Sequence, residues 1–142
     1  MSNNAKRQEA LRFGDVEFTA VHFDIIGKPN NESDVRLNIN PKVSYTSDTL
    51  FHIIFDIEIK VEDVFQLNIV AVGFFELGEE ILKEDKINIK EQLVNTNAPA
   101  IVFPYIRSFV STLTSNLGTI PTLTIPTHFF NGKLEEVKES EN

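Results

Sequence analysis

The stretch Asn97–Phe129, NAPAIVFPYIRSFVSTLTSNLGTIPTLTIPTHF, carries the only helix-period pattern in the chain long enough to cover a sheet. Val102, Ile106, Phe109, Val110, Leu113 and Leu117 recur at spacings of three and four, which places them on one apolar stripe. Thr96 or Asn97 is the expected N-cap, Pro99 falls in the first turn, and the helix is expected to run to about Asn116 with Gly118 as its stop. Pro104 lies inside this helix, where its missing N–H is expected to free the carbonyl of Ala100 and produce a kink. The β-branched Val110, Thr112 and Thr114 lower the intrinsic propensity, so packing against another layer must hold the helix. Beyond Gly118, TIPTLTIPT places Pro121 and Pro126 in a stiff, uncharged crossover whose Ile120, Leu123 and Ile125 need an apolar environment.

Everything before this stretch alternates with period two. A first strand is expected over Val16–Ile26, where the apolar parity switches from Val16, Phe18 and Ala20 to Val21, Phe23 and Ile25; the switch implies a bulge near Ala20 or cover on both faces. Gly27–Asp34 is a polar connection. In Val35–Tyr45, apolar Val35, Leu37, Ile39, Val43 and Tyr45 alternate with polar residues, and Pro41 marks an edge or an interruption because it lacks a ladder donor. A tight turn at Thr46–Thr49 leads to a third strand, Leu50–Glu62, with Phe51, Ile53, Phe55, Ile57, Ile59 and Val61 on its dry parity.

The fourth strand, Phe65–Leu77, puts Phe65, Leu67, Ile69, Ala71, Phe75 and Leu77 on the core parity, with Gly73 expected to permit a bulge or the close approach of a neighbour. Its opposite parity turns apolar at Val70, Val72 and Phe74, more than a solvated face needs; these three are candidates for an oligomer interface, and Phe74 also for peptide binding. The fold class that follows is α+β: a four-stranded antiparallel meander of order 1-2-3-4, a long kinked helix packed on one face, and a short or vestigial C-terminal helix from about Leu134. A short helical piece is expected at Ile89–Val94. Residues 1–142 read as a single domain, with flexible ends at 1–11 and 136–142.

Composition removes several functions. The absence of cysteine excludes thiolate chemistry, disulfides and cysteine metal sites. A formal charge of −8 opposes a nucleic-acid partner, which needs a basic footprint. The N-terminus, MSNNAKRQEALRF, has no apolar core of signal-peptide length and no later stretch approaches a membrane span, so membrane insertion is not expected and a cytoplasmic setting is. Twelve Phe against no Trp and two Tyr suggest more rings than one small core needs.

Chemistry-bearing clusters are sparse. His22, His52 and His128 lie in different elements without metal-ligand spacing, so no metal is expected. Asp56 and Glu58 share a strand face with His52 and Lys60, an arrangement that any wet sheet face presents. With no phosphate-cradling glycine loop either, no cofactor and no enzymatic activity are expected. Arg107, beside Tyr105 within the apolar helix, needs a polar partner or a path to solvent along its stem. What remains is binding through apolar surface: extended non-native polypeptides in a channel lined by Phe, Ile and Leu, helped by an acidic rim.

The segment Ala98-Pro99-Ala100-Ile101-Val102-Phe103-Pro104-Tyr105-Ile106-Arg107, followed by Gly118-Thr119-Ile120-Pro121-Thr122-Leu123-Thr124-Ile125-Pro126-Thr127-His128-Phe129, resembles the two signature segments of the SecB protein-export chaperones. The resemblance implies the SecB fold, assembly as a homodimer or dimer of dimers, and ATP-independent holding of unfolded polypeptides. It implies a client groove formed by the crossover and a sheet edge, with Ile120, Leu123 and Ile125 as groove residues. It makes Phe103, Pro104, Tyr105, Arg107, Gly118 and Pro121 structural.

Where the family continues into an Asn-Phe-Asp-x-Leu-Tyr helix, this chain has Thr127-His128-Phe129-Phe130-Asn131-Gly132, and its end is acidic instead of basic. Contact with the secretion ATPase is therefore not implied. A divergent SecB-like member, similar to a small Gram-positive family of unestablished function or to the SecB-like chaperones of toxin–antitoxin systems, fits better than the export chaperone itself. The alternative is a non-enzymatic scaffold protein that binds one specific folded partner.

Overall fold

The structure, a computed structural model, describes residues 10–28, 34–116 and 133–138. Four long strands form an antiparallel sheet: β1 (Leu11–Ile25), β2 (Val35–Tyr45), β3 (Leu50–Val61) and β4 (Phe65–Leu77). A two-residue strand, β5 (Glu135–Glu136), lies parallel to β2, so the order is β1-β4-β3-β2-β5.

This order corrects the expected 1-2-3-4 meander. Strands β2, β3 and β4 are joined by tight turns, but β1 pairs with β4 and not with β2, which makes a Greek key. Turn geometry explains the difference. A hairpin needs about two to five residues, whereas the polar connection after Ile25 is long enough to span the roughly 14 Å of three strand spacings. Both described ends of it bond to the β3–β4 turn: the N–H groups of Ile26 and Gly27 donate to Val64 O at 2.7 and 3.1 Å, and Glu62 N–H donates to Asp34 O at 3.0 Å. Gly27 is required there, since a Cβ would lie 2.7 Å from Asp63 O.

The parity switch in β1 is resolved by bulges. Register shifts fall between Phe13 and Val16 and between Phe18 and Ala20, after which Val21, Phe23 and Ile25 return to the core parity opposite Ile69, Leu67 and Phe65. The ordered strand also begins earlier than expected, at Leu11 opposite Leu77, with Ala10 O accepting Gly78 N–H at 3.0 Å.

Short 3-10 turns follow β4, and then a continuous helical run: α1 (Ile87–Gln92), a π turn at Leu93–Asn97, and α2 (Ala98–Ser115). The expected cap at Thr96 or Asn97 is absent because the chain is already helical there; Asn97 has φ −73° and ψ −45° and no side-chain cap bond. Pro99 cannot donate to a carbonyl one turn back, and the ladder widens, with Ala98 N–H bonding to Leu93 O. Pro104 is accommodated inside α2, and at its end Asn116 Nδ2 caps Thr112 O at 2.9 Å. Gly118, the expected stop, lies outside the described residues.

Helix α2 buries Val102, Phe103, Ile106 and Val110 against the sheet, with Phe109 and Leu113 packed alongside. Gly73 is the contact point: a Cβ there would overlap Val102 Cγ2, so the close approach expected of Gly73 is that of this chain's own helix. Across the same face runs a row of rings, one from each long strand. Phe13 to Phe75 and Phe75 to Phe51 are each 5.4 Å apart, and Phe51 to Tyr45 is 5.7 Å. Most of the Phe surplus is thus absorbed by the core, and Phe74 is the one phenylalanine exposed among the described residues.

The short helix expected from about Leu134 is replaced among residues 133–138 by β5. Leu134 is buried in the core, its N–H donates to Asn95 Oδ1 at 2.8 Å, and Val137 N–H donates to Val43 O at 2.8 Å. With only two residues between its buried anchor and its ladder bond, the segment is held extended. Glu136, expected within a flexible end, belongs to this strand.

Candidate functional site

The helix-side face of the sheet is sealed at one end and open at the edges of the other. Register places Ile25, Phe65, Val61 and Val35 in one row and Phe23, Leu67, Ile59 and Leu37 in the next. In the central strands Phe65, Leu67 and Ile59 are buried and Val61 is partly buried, yet Val35 is 56% exposed, Leu37 37% and Ile25 56%. Two apolar strips therefore flank a covered centre, one on β1 and one on β2. Burying a single side chain of this size stabilises by about 1.5–3 kcal/mol, so each strip is a substantial store of unspent apolar surface.

The β2 strip borders an unpaired backbone edge. Residues of an antiparallel strand direct their N–H and C=O alternately to the two sides. Asp34 O and Thr46 N bond to β3, while Val43 O bonds to Val137 in β5, so the odd-numbered residues of β2 face outward. Among the described residues only β5 uses this edge, at Lys42 and Val43, which leaves Val35, Leu37 and Ile39 with outward N–H groups. Pro41, buried next to the β5 pairing, has no N–H to offer. An extended chain can add here, its backbone pairing with β2 and its apolar side chains packing on Val35 and Leu37.

Beside β5 lies an open cleft of about 390 Å³ between β2, α1 and residues 133–138, floored by Val43, Val94 and Leu134 and rimmed by Tyr45, Lys90 and Glu136. Lys90 Nζ sits 5.1 Å from the centre of the Tyr45 ring. Burial, then the Glu136 and Glu91 carboxylates, raise the Tyr45 phenol above its ordinary value of 10.0.

The outward face divides in two. At one end Glu58 accepts from Asn38 at 3.4 Å and from Gln66 at 3.2 Å, a hydrogen-bonded polar row. At the other end Leu50, Ile54, Val70, Val72 and Phe74 form an apolar patch, with the His52 ring 5.6 Å from Phe74. On this face and at the β1 edge the polar side chains have local partners: His52 rests against Phe74, Glu58 is bonded to amides, and His22 pairs with Asp24 at 2.8 Å. Among the described residues no group of three His, Asp or Glu side chains could hold a metal, and no helix is long and apolar enough to cross a membrane.

Of the predicted structural residues, Phe103 is buried 6.0 Å from Phe55, Tyr105 packs 5.7 Å from Phe13, Arg107 is half-buried and Pro104 is exposed. Ile120, Leu123, Ile125 and Pro121 lie outside the described residues. Phe74 stands on the opposite face from Val35 and Leu37, so a single groove in one chain does not contain all three. Sequence reasoning missed Val35 and Leu37 as surface: their alternation marks the core parity, and only their place at a sheet edge leaves them uncovered.

Comparison with known proteins accords with this architecture. A family model described as preprotein translocase subunit SecB matches residues 10–132. An uncharacterised protein of Methanocaldococcus jannaschii is 29% identical over 141 residues, covering 92% of this chain and 88% of the relative. The protein-export protein SecB of Xanthomonas oryzae pv. oryzae is 25% identical over 138 residues, covering 94% and 78%. Among solved structures, the Mycobacterium tuberculosis SecB-like chaperone in complex with a ChAD peptide from an antitoxin superposes with a TM-score of 0.66 at 17% identity, covering 86% of this chain and 93% of that one. With the sheet, the crossing connection and the long helix in place, the chain belongs to the SecB family.

Proposed function

We propose that this protein is a SecB-like holdase that binds unfolded or non-native polypeptides without ATP or covalent chemistry. The observation that carries the reading is that exposed Val35 and Leu37 stand on a stretch of the β2 outer edge that no strand pairs among the described residues. Apolar side chains next to free backbone donors and acceptors suit an extended chain of no fixed sequence, because the backbone supplies affinity and the side chains only a preference. Membership of a family that includes protein-export SecB, and a structural neighbour described with a bound antitoxin peptide, support the same class of ligand. Ile120, Leu123 and Ile125 complete the proposed groove from the crossover.

Val70, Val72 and Phe74 are assigned to contact with another subunit in a homodimer or dimer of dimers. They form an apolar patch on the face away from α2, and the outer edge of the fifteen-residue strand β1, which pairs with no other strand among the described residues, offers a second contact. The test is suppression of aggregation of a chemically unfolded model protein, followed by light scattering without nucleotide. Protection near equimolar amounts is expected. Absence of protection, together with one or a few folded proteins enriched by crosslinking, replaces this reading with that of a partner-specific scaffold.

A further inference from the structure

Two chains compete for the outer edge of β2. One is any extended polypeptide added to it, and the other is this protein's own residues 133–138. We infer that β5 is an internal competitor, occupying the Lys42–Val43 part of the accepting edge and leaving Val35–Ile39, unpaired on this side among the described residues, to a client. This rests on the polypeptide-binding reading above and goes beyond it by assigning the C-terminal segment a regulatory role.

The hold of β5 is small and local. Glu135 and Glu136 are in register with Lys42 and Val43 of β2, Val137 N–H donates to Val43 O just beyond them, and Leu134 N–H donates to Asn95 Oδ1. The buried Leu134 side chain is the main anchor. Glu136 and Glu91 line the same cleft as Lys90 and Lys133, so both signs of charge meet beside the segment. An incoming strand that spans Val35 to Tyr45 makes more backbone pairs than β5 does and reaches the same outward groups at Val43.

The chemistry of the preferred occupant follows from the edge. Alternate apolar residues would face Val35, Leu37 and Ile39, and the intervening positions would face Arg36, Asn38 and Asn40. Arg36 lies directly across from Lys60, a like-charge pair that a carboxylate on the added strand would relieve. The expected occupant is therefore an extended segment with alternating β-branched residues and an acidic residue near one end.

The experiment uses the full chain and a synthetic eleven-residue peptide alternating valine and threonine, long enough to pair from Val35 to Tyr45, with one aspartate placed to face Arg36. Amide hydrogen exchange should show new protection at Leu37 and Ile39 on peptide addition, with loss of protection at Val137. Both Leu134→Ser and Asn95→Ala should tighten the peptide Kd, the former by about tenfold, since the competing state no longer reduces the accepting fraction. A folded circular dichroism spectrum qualifies each variant, and the wild-type exchange pattern decides the matter if one fails to fold. Protection at Leu37 and Ile39 with Val137 unchanged and Kd values equal across the variants overturns the competition while leaving polypeptide binding intact. Binding of neither the peptide nor an unfolded model protein by any of the chains overturns both. Antiparallel pairing of two copies through β2, seen as a mass increase with these amides already protected before peptide is added, assigns the edge to self-association and also overturns the proposal.

Discussion

The two ends of the helix-side face are built from the same strands with the same alternation, yet one is sealed and the other is open at its edges. At the Phe51 end a ring from every long strand joins one continuous row, and Tyr105 of α2 packs onto it at Phe13. At the Val61 end, Phe65 and Ile59 are buried in the middle while Val35 and Ile25 remain open on either side. The difference is one of cover, not of composition: one helix lies along the central strands, and an edge strand far from it keeps its apolar residues in solvent. A regular strand pattern thus supplies both a core and a binding surface, and position in the sheet decides which.

The sharpest way to break the sealed end is Phe51→Ala, which removes the middle of the ring row. A loss of about 3–5 kcal/mol is expected from urea unfolding. An effect below 1 kcal/mol would show that the row is not a cooperative core. Next in size, Gly73→Ala forces a methyl group into Val102 and should cost about 1–3 kcal/mol by the same measurement, as overpacking does.

The open end should respond in the opposite sense. Leu37→Ser changes stability by less than about 1 kcal/mol, as exposed positions do. Binding of an unfolded model protein should nevertheless weaken several-fold by fluorescence anisotropy; unchanged affinity would remove β2 from the groove. On the outward face, Phe74→Asp should likewise leave the fold intact, within about 0.5 kcal/mol. It should lower the mass found by sedimentation if that patch joins subunits, and an unaltered mass would withdraw the assignment.

The smallest effect is a titration. The Tyr45 phenol is raised by burial and by Glu136 and Glu91, so it stays neutral in the fold at a pH where the unfolded chain already ionises. Its contribution to stability is full below pH 10 and is lost as pH rises through the folded value. Tyr45→Phe should flatten that decline relative to wild type in urea unfolding at alkaline pH, and Glu136→Gln should reduce it. Identical alkaline profiles for wild type and Tyr45→Phe would contradict the shift.

Much of the fold was legible because side-chain period reports local geometry directly. The dry parities of β3 and β4, the bulge near Ala20 and the apolar stripe of α2 all follow from spacing. The strand order was less legible, since the polar connection between β1 and β2 has the same composition whether it turns back or crosses three strand spacings. The boundary at Asn97 was misread because a good capping residue also fits inside a π turn when Pro99 follows. Of the candidate surface, Val70, Val72 and Phe74 stood out as apolar residues on a wet parity. Val35 and Leu37 did not, because nothing in an apolar residue on an apolar parity tells whether another layer covers it.

The sequence by itself determined the α+β class, the extents of four strands within a few residues, the face on which the helix lies, and the signature segments of the SecB family, since each depends on periodicity or local motif. Only the tertiary structure decided that β1 joins β4, that β5 replaces the expected terminal helix over residues 133–138, and that no strand among the described residues pairs with the outer edge of β2 over Val35–Ile39. Those outcomes depend on pairings between residues far apart in the chain, where closing a loop and burying a face compete, and no single segment carries the energy of that choice.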